Sequence, residues 1–235
     1  MLSYRVRNDS QPSPSSQRRR PRRQGLLRPA LVMAAGLLLN PATLSTTVAQ
    51  NTPAASPIDT TGNPKAIIQS ALDQALAVLR NESYKSDPTV RAAKVRAVVD
   101  QVFDWEAMAK SSIGPQWRKL KQAERDAFIK VFQELLARQY MGDIMRFQGD
   151  EKLAVIGDDS TSGIAKVKTV LTTLSNETIP IDYTLHQAGG RWLVEDVSIE
   201  GVSMVNHYRN SFSRFLVNNE FSALLQRLER SLGAH

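Results

Sequence analysis

IPIDYTLHQAGGRWLVEDVSIEGVSMVNHYR, residues Ile179–Arg209, changes its hydrophobic period from two to nearly four along its length. In the first part Ile179, Ile181, Tyr183 and Leu185 alternate with Pro180, Asp182, Thr184 and His186, so one face of a strand is apolar. Gln187–Ala188–Gly189–Gly190 is turn chemistry, since glycine accepts positive φ at little cost. Arg191–Ile199 is a second strand, antiparallel to the first, and its alternation slips near Glu195, which predicts a bulge. Gly201 turns the chain, and from there Val205, Tyr208, Phe212 and Phe215 fall at helical spacing.

Upstream of this unit the pattern is helical. Asn63–Pro64 and Asp87–Pro88 each place a capping side chain before a proline, the signature of a helix start. Ile68, Leu72, Ala75, Leu76 and Leu79 share a face of the first helix, and Val95, Val98, Val99 and Val102 a face of the next. Asp104 is placed to cap a short helix through Met108, and Gly114–Pro115 breaks the chain. Within Ala123–Phe147 the positions Phe128, Val131, Phe132, Leu135, Leu136 and Tyr140 form a stripe wide enough to face a core, and Ile144 extends it. Strands follow: Leu153–Ile156, a turn at Gly157–Asp158–Asp159, then Ile164–Leu174. Two helices, Ser203–Val217 and Phe221–Leu232, close the chain. Helices first, antiparallel strands next and helices last predict an α+β fold: a curved antiparallel sheet of about four strands with helices packed on it.

The net charge of +7 invites a nucleic-acid reading, which its distribution removes. Residues 1–50 hold eight arginines and one acid, Asp9, leaving 22 basic and 22 acidic residues in the remainder. Behind that basic run lies Ala30–Leu39, ALVMAAGLLL, the length of a signal-peptide core and too short for the about 20 apolar residues of a membrane span. Thr47–Val48–Ala49 offers small residues for cleavage. The expected organisation is a secretory leader over 1–49, a flexible linker rich in Thr, Pro, Ser and Ala over 50–62, and one domain over 63–235. With no cysteine, disulfides, thiolate metal sites and cysteine nucleophiles are excluded.

The sequence holds no phosphate-binding glycine loop, no G-x-S-x-G and no H-E-x-x-H. His186 and Asp182 share a strand face, but four residues of strand separate them by about 13 Å, so His186 reads as an exposed strand histidine. His207 falls on the polar side of its helix. Glu195 and Asp196 are adjacent on a strand and point to opposite faces. No catalytic residue, metal or cofactor is predicted. What remains is apolar: Phe128, Phe132, Leu136, Tyr140 and Ile144 on one helix; Val167, Ile181, Tyr183, Leu185, Trp192 and Val194 on strands; Val205, Tyr208 and Phe212 on another helix. A packed core and a lipid pocket are lined by the same residue types, and periodicity leaves both open.

The stretches IPIDYTL and GRWLVEDVSIEGVSMVNHYR with Phe212 are similar to the C-terminal signature of the MlaC family of periplasmic lipid-shuttle proteins. Phe103–Asp104–Trp105, Ile113–Gly114, Trp117–Arg118, Phe128, Leu135–Leu136 and Tyr140 resemble that family's helical half. The long arginine-rich leader and Asn206–His207 before Tyr208 depart from it. The resemblance implies a cone of helices and sheet enclosing an apolar cavity, lined by the residues just named, that holds phospholipid tails. It implies a periplasmic carrier, not an enzyme, working with an inner-membrane ABC transporter with an MCE-domain subunit and an outer-membrane lipoprotein complex. A hopanoid-type ligand, or a cone-fold enzyme acting on an apolar substrate, is the alternative. Exposing one CH₂ to water costs about 0.8 kcal/mol, so two chains of about 16 carbons face on the order of 25 kcal/mol, and such a lipid needs a carrier. Arg118, Lys119 and Lys121 are candidates for docking, or equally a solvated helix face.

Overall fold

The computed structural model describes residues 56–147 and 150–233. The expected leader over 1–49 and residues 50–55 of the expected linker lie outside them.

The predicted capping signals start the helices. Asn63 accepts from the amides of Lys65 and Ala66 at the head of α1 (Pro64–Arg80). A single turn, α2 (Glu82–Lys85), precedes α3 (Pro88–Val102), where Asp87 accepts from Thr89 and Val90. Asp104 caps α4 (Trp105–Ile113) through the Ala107 amide. Gly114–Pro115 does not end helical structure outright; a 3-10 turn runs over Gly114–Lys119 and buries Trp117. Then comes α5 (Gln122–Met145), the longest helix.

The sheet is a simple antiparallel meander in the order β1 (Lys152–Thr161), β2 (Ile164–Thr172), β3 (Thr178–Ala188), β4 (Arg191–Ile199), β5 (Val202–Ser203). The fold is α+β as expected, with the two-residue β5 as a fifth strand. The slip at Glu195 is a bulge: Thr184 pairs with Asp196 and Leu185 with Val194, leaving Glu195 as the extra residue. The expected turn at Gly157–Asp159 is a correction. Those residues continue β1 past an irregularity at Val155/Gly157, and the chain reverses at Ser162–Gly163, both at positive φ. An outer strand with one neighbour absorbs such an irregularity, so a glycine and two aspartates do not end it. Helices α6 (Met204–Leu216) and α7 (Phe221–Gly233) close the chain.

Residues 56–62, read as part of a linker, are held in place. The Ile58 amide donates to Gln101 Oε1 at 2.9 Å, the Trp192 amide donates to the Thr60 carbonyl at 2.7 Å, and Arg191 Nε donates to Thr60 Oγ1 at 2.7 Å. The Trp192 bond, with the Asp104 amide on the Val194 carbonyl at 2.8 Å, pairs backbone groups on the part of the β4 edge that β5 leaves open.

Arg91 ties three chain segments together. Its Nη2 donates to the carbonyls of Leu79 at 2.7 Å and Phe147 at 2.8 Å, and its Nη1 to that of Met145 at 3.2 Å. Leu79 and Met145 carry end-of-helix carbonyls that lack intrahelical partners, and Phe147 lies just past the end of α5. Lysine offers no planar fork for this geometry. Arg91→Lys is therefore expected to lose about 1–2 kcal/mol of unfolding free energy in a urea titration; a change inside about 0.3 kcal/mol would deny the clamp any weight.

Candidate functional site

The apolar interior is divided. A helix-side cluster gathers α4, α5, α6 and α7 around Phe128, Phe132, Val205, Phe212, Phe221 and Leu224. A sheet-side cluster gathers Ile68 and Leu72 of α1 over Ala165, Val167, Leu185, Val194 and Val197. A third joins α1 to α3 through Ile67, Ala71, Val98 and Val102. Phe103 packs against all three, and Met204 joins the first two. The principal neighbours of α5 are α3, α4 and α7 rather than the sheet.

Of the residues expected to line a cavity, Phe128, Phe132, Leu136, Val205 and Phe212 are buried in the helix-side cluster, and Val167, Leu185 and Val194 in the sheet-side cluster. Tyr140 and Tyr208 are half-buried against the first cluster, Ile181, Tyr183 and Trp192 against the second. Ile144 is half-buried. Trp192 also packs on the α1–α3 cluster, beside the held segment at Thr60, well away from the Ile181 end of the sheet. Along α5 burial declines from Phe128 and Phe132, both 0% exposed, to the half-buried Tyr140 and Ile144. The fully buried rings interlock: Phe128 meets Phe132 at 5.8 Å, Phe212 at 5.9 Å and Phe221 at 5.6 Å between centroids.

Three tyrosines mark the half-buried surfaces. Burial pushes the Tyr183 phenol up to about 12. Tyr208 is raised by burial and then by neighbouring Tyr140, and Tyr140 by burial and then by Asp143. Apolar surroundings disfavour the phenolate, which raises an acid's pKa. The sign for stability follows. The folded state holds the Tyr183 proton more tightly than the unfolded chain, so its contribution is complete below about pH 10 and is lost as pH rises toward 12. Alkaline denaturation is thus expected to steepen over that interval. Tyr183→Phe should lessen the loss by on the order of 2 kcal/mol, read from unfolding free energies at the two ends; an unchanged slope would contradict the desolvated placement.

A groove of about 450 Å³ opens between α5, α6 and α7. Leu135, Tyr208, Phe212, Phe215, Leu224 and Leu228 form its apolar wall, and Ser211, Arg214 and Arg227 its polar part. The family resemblance implied an apolar cavity between helices and sheet; this groove is on the helix side, has no strand residue in its wall, and includes only Tyr208 and Phe212 of the expected lining. Sequence reasoning missed Arg214 and Arg227 because one lies on each of two helices that only the fold brings together.

The polar residues are committed elsewhere. His186 is not an exposed strand histidine: its Nε2 lies 2.9 Å from Asp104 Oδ2 and its Nδ1 3.4 Å from Glu195 Oε2. Both ring nitrogens face carboxylates, which leaves neither open to a substrate. The bulge turns Glu195 toward this ring. Asp196 instead accepts from Ser203 Oγ and from the Val205 amide at 3.0 Å, fixing the start of α6. Asp182 lies 3.9 Å from Lys166 Nζ on the neighbouring strand, and His207 is exposed with its ring beside Tyr208. Among the described residues no group of three His, Asp or Glu side chains could hold a metal ion, and no helix is long and apolar enough to cross a membrane.

Comparison with known proteins places the chain. The family described as MlaC protein matches residues 69–230. A toluene tolerance protein, Ttg2D of Pseudomonas putida, is 25% identical over 161 residues, covering 66% of this chain and 74% of its own. A phospholipid-binding protein from Ralstonia solanacearum, solved in complex with a phospholipid, superposes with a TM-score of 0.66 at 19% identity, over 74% of this chain and 98% of its own. At that identity the second likeness speaks to the fold. The family match spans well over half the chain, and this protein belongs to the MlaC family.

Proposed function

We propose that this chain is an exported, periplasmic lipid carrier without catalytic activity. It buries phospholipid tails between its helical and sheet surfaces and passes lipid between the inner and outer membranes. The observation that carries the proposal is the divided interior: two apolar surfaces joined through Phe103 and Met204, with Tyr140, Ile181, Tyr183 and Tyr208 left half-buried on them and Ile144 half-buried one turn beyond Tyr140 on α5. A fully consolidated core would bury such residues; a binding surface keeps them available for an apolar guest. The half-buried residues meet the tails first. The buried ones, Phe128, Phe132, Leu136, Val167, Leu185, Val194, Val205 and Phe212, form the lining behind them, and Trp192 closes the end near Thr60. Membership of the MlaC family and the fold shared with a phospholipid-bound protein support the ligand class.

As carrier, the chain would load and unload at an inner-membrane ABC transporter with an MCE-domain subunit and at an outer-membrane lipoprotein complex. Arg118, Lys119 and Lys121, all exposed, are the proposed docking cations. The transporter, not this chain, would hydrolyse ATP.

Native mass spectrometry of the mature chain, purified from a bacterial periplasm without detergent, tests the reading. A stoichiometric adduct that solvent extraction identifies as a two-chain phospholipid is expected. A polycyclic lipid would reassign the ligand, and an unmodified mass that persists after incubation with phospholipid vesicles would end the carrier proposal.

A further inference from the structure

The groove between α5, α6 and α7 combines an apolar wall with two arginines and no carboxylate. Ser211 and Arg214 stand three residues apart on α6 and share a face, while Arg227 reaches the same space from α7. The Arg227 guanidinium lies 5.2 Å from the centroid of Phe215, itself a wall residue, so the charge is held against the apolar surface. Neither arginine enters an ion pair with the described residues. Other arginines are engaged: Arg96 pairs with Glu134, Arg146 with Asp143, and Arg138 caps α7 through the Ser231 and Leu232 carbonyls. Two guanidinium groups without a carboxylate partner, in a groove that shares Tyr208 and Phe212 with the proposed tail lining, suit the anionic head of an amphiphile whose tails lie in that lining.

From this juxtaposition we infer that Arg214 and Arg227 form a head-group site, with Ser211 as an added donor, and that the carrier selects lipids whose heads bear net negative charge. The inference rests on the carrier reading and adds to it a preference and the residues that set it. An anion between two guanidiniums gains charge-assisted hydrogen bonds that a zwitterionic head, carrying its own cation, partly forgoes.

The test loads the purified chain from vesicles of equal parts phosphatidylglycerol and phosphatidylcholine with matched tails, and reads the ratio of the two adducts by native mass spectrometry. A ratio of about ten in favour of phosphatidylglycerol is expected at low salt. In R214Q/R227Q it should fall to about two or less, and R214K/R227K, which keeps the charge but not the planar fork, should restore it in part. Equal loading of the unaltered chain, or a preference that survives in R214Q/R227Q, would overturn the head-group site while leaving the carrier reading intact. Binding of inorganic phosphate that R214Q/R227Q abolishes, in a chain that loads the two lipids equally, would show a free-anion site and also overturn it. Absence of both adducts would remove the carrier reading, and the head-group site with it.

Discussion

Phe128→Ala is expected to destabilise the domain by about 3–5 kcal/mol, the usual cost of truncating a buried phenylalanine. Phe128 is 0% exposed and is the one ring in contact with Phe132, Phe212 and Phe221 together. It therefore joins α5 to both closing helices. Its removal loses the transfer free energy of the ring and leaves a cavity that three aromatic neighbours are too rigid to fill. For a domain of this size the thermal midpoint should drop by roughly 10 °C or more. Urea denaturation provides the free energy directly, and a loss under about 1 kcal/mol would mean that the helical cluster repacks freely. Tyr140→Phe, on the half-buried part of the same helix, should stay within about 0.5 kcal/mol.

His186→Ala is expected to cost about 2–4 kcal/mol. The substitution deletes the group between Asp104 and Glu195 and leaves two carboxylates, 20% and 28% exposed, without their shared partner. Asp104 does two jobs: Oδ1 caps the Ala107 amide at 2.8 Å and Oδ2 meets the histidine. The contact thus fixes the junction of α3 and α4 on the sheet, beside Phe103 and its bridge to Val194. Removing the ring should loosen that junction more than the sheet itself. Hydrogen exchange is expected to accelerate at Trp105–Ala109 and to change little in β2. A double-mutant cycle with Asp104→Asn supplies the pairwise energy. A coupling near zero would mean the two side chains are neighbours without being partners.

Much of the scaffold is legible locally. Asn63–Pro64, Asp87–Pro88 and Asp104 state helix starts in a few residues, because the cap acts on amides two or three positions ahead. The slipped alternation at Glu195 announces its bulge because side-chain direction in a strand has a strict period of two. The extent of β1 is not legible, since Gly157–Asp158–Asp159 carries turn chemistry while the pairing with β2 holds it in the strand. His186 is misread for a different reason. Its partner Asp104 is 82 residues away, and no spacing rule reaches that far. The segment at Ile58–Thr60 reads as linker from composition, yet three hydrogen bonds hold it to Gln101, Arg191 and Trp192. The apolar lining could be enumerated but not sorted. Leu185 and Tyr183 stand two apart on one strand face, and only the fold makes the first a buried core residue and the second a half-buried surface. The α5–α6–α7 groove needs the closing helices in place before Arg214 and Arg227 can share it.

The most direct test of the proposed carrier locates the tails. The purified chain is loaded with a phospholipid bearing a photoactivatable diazirine midway along one tail, irradiated, digested and mapped by mass spectrometry. Crosslinks are expected on the segments around Tyr140–Ile144, Ile181–Tyr183 and Met204–Tyr208, with excess unlabelled phospholipid suppressing them. Labelling confined to the outward face of the sheet, at Lys166, Lys168 and Thr184, or labelling that excess lipid does not suppress, would contradict a tail-binding interior.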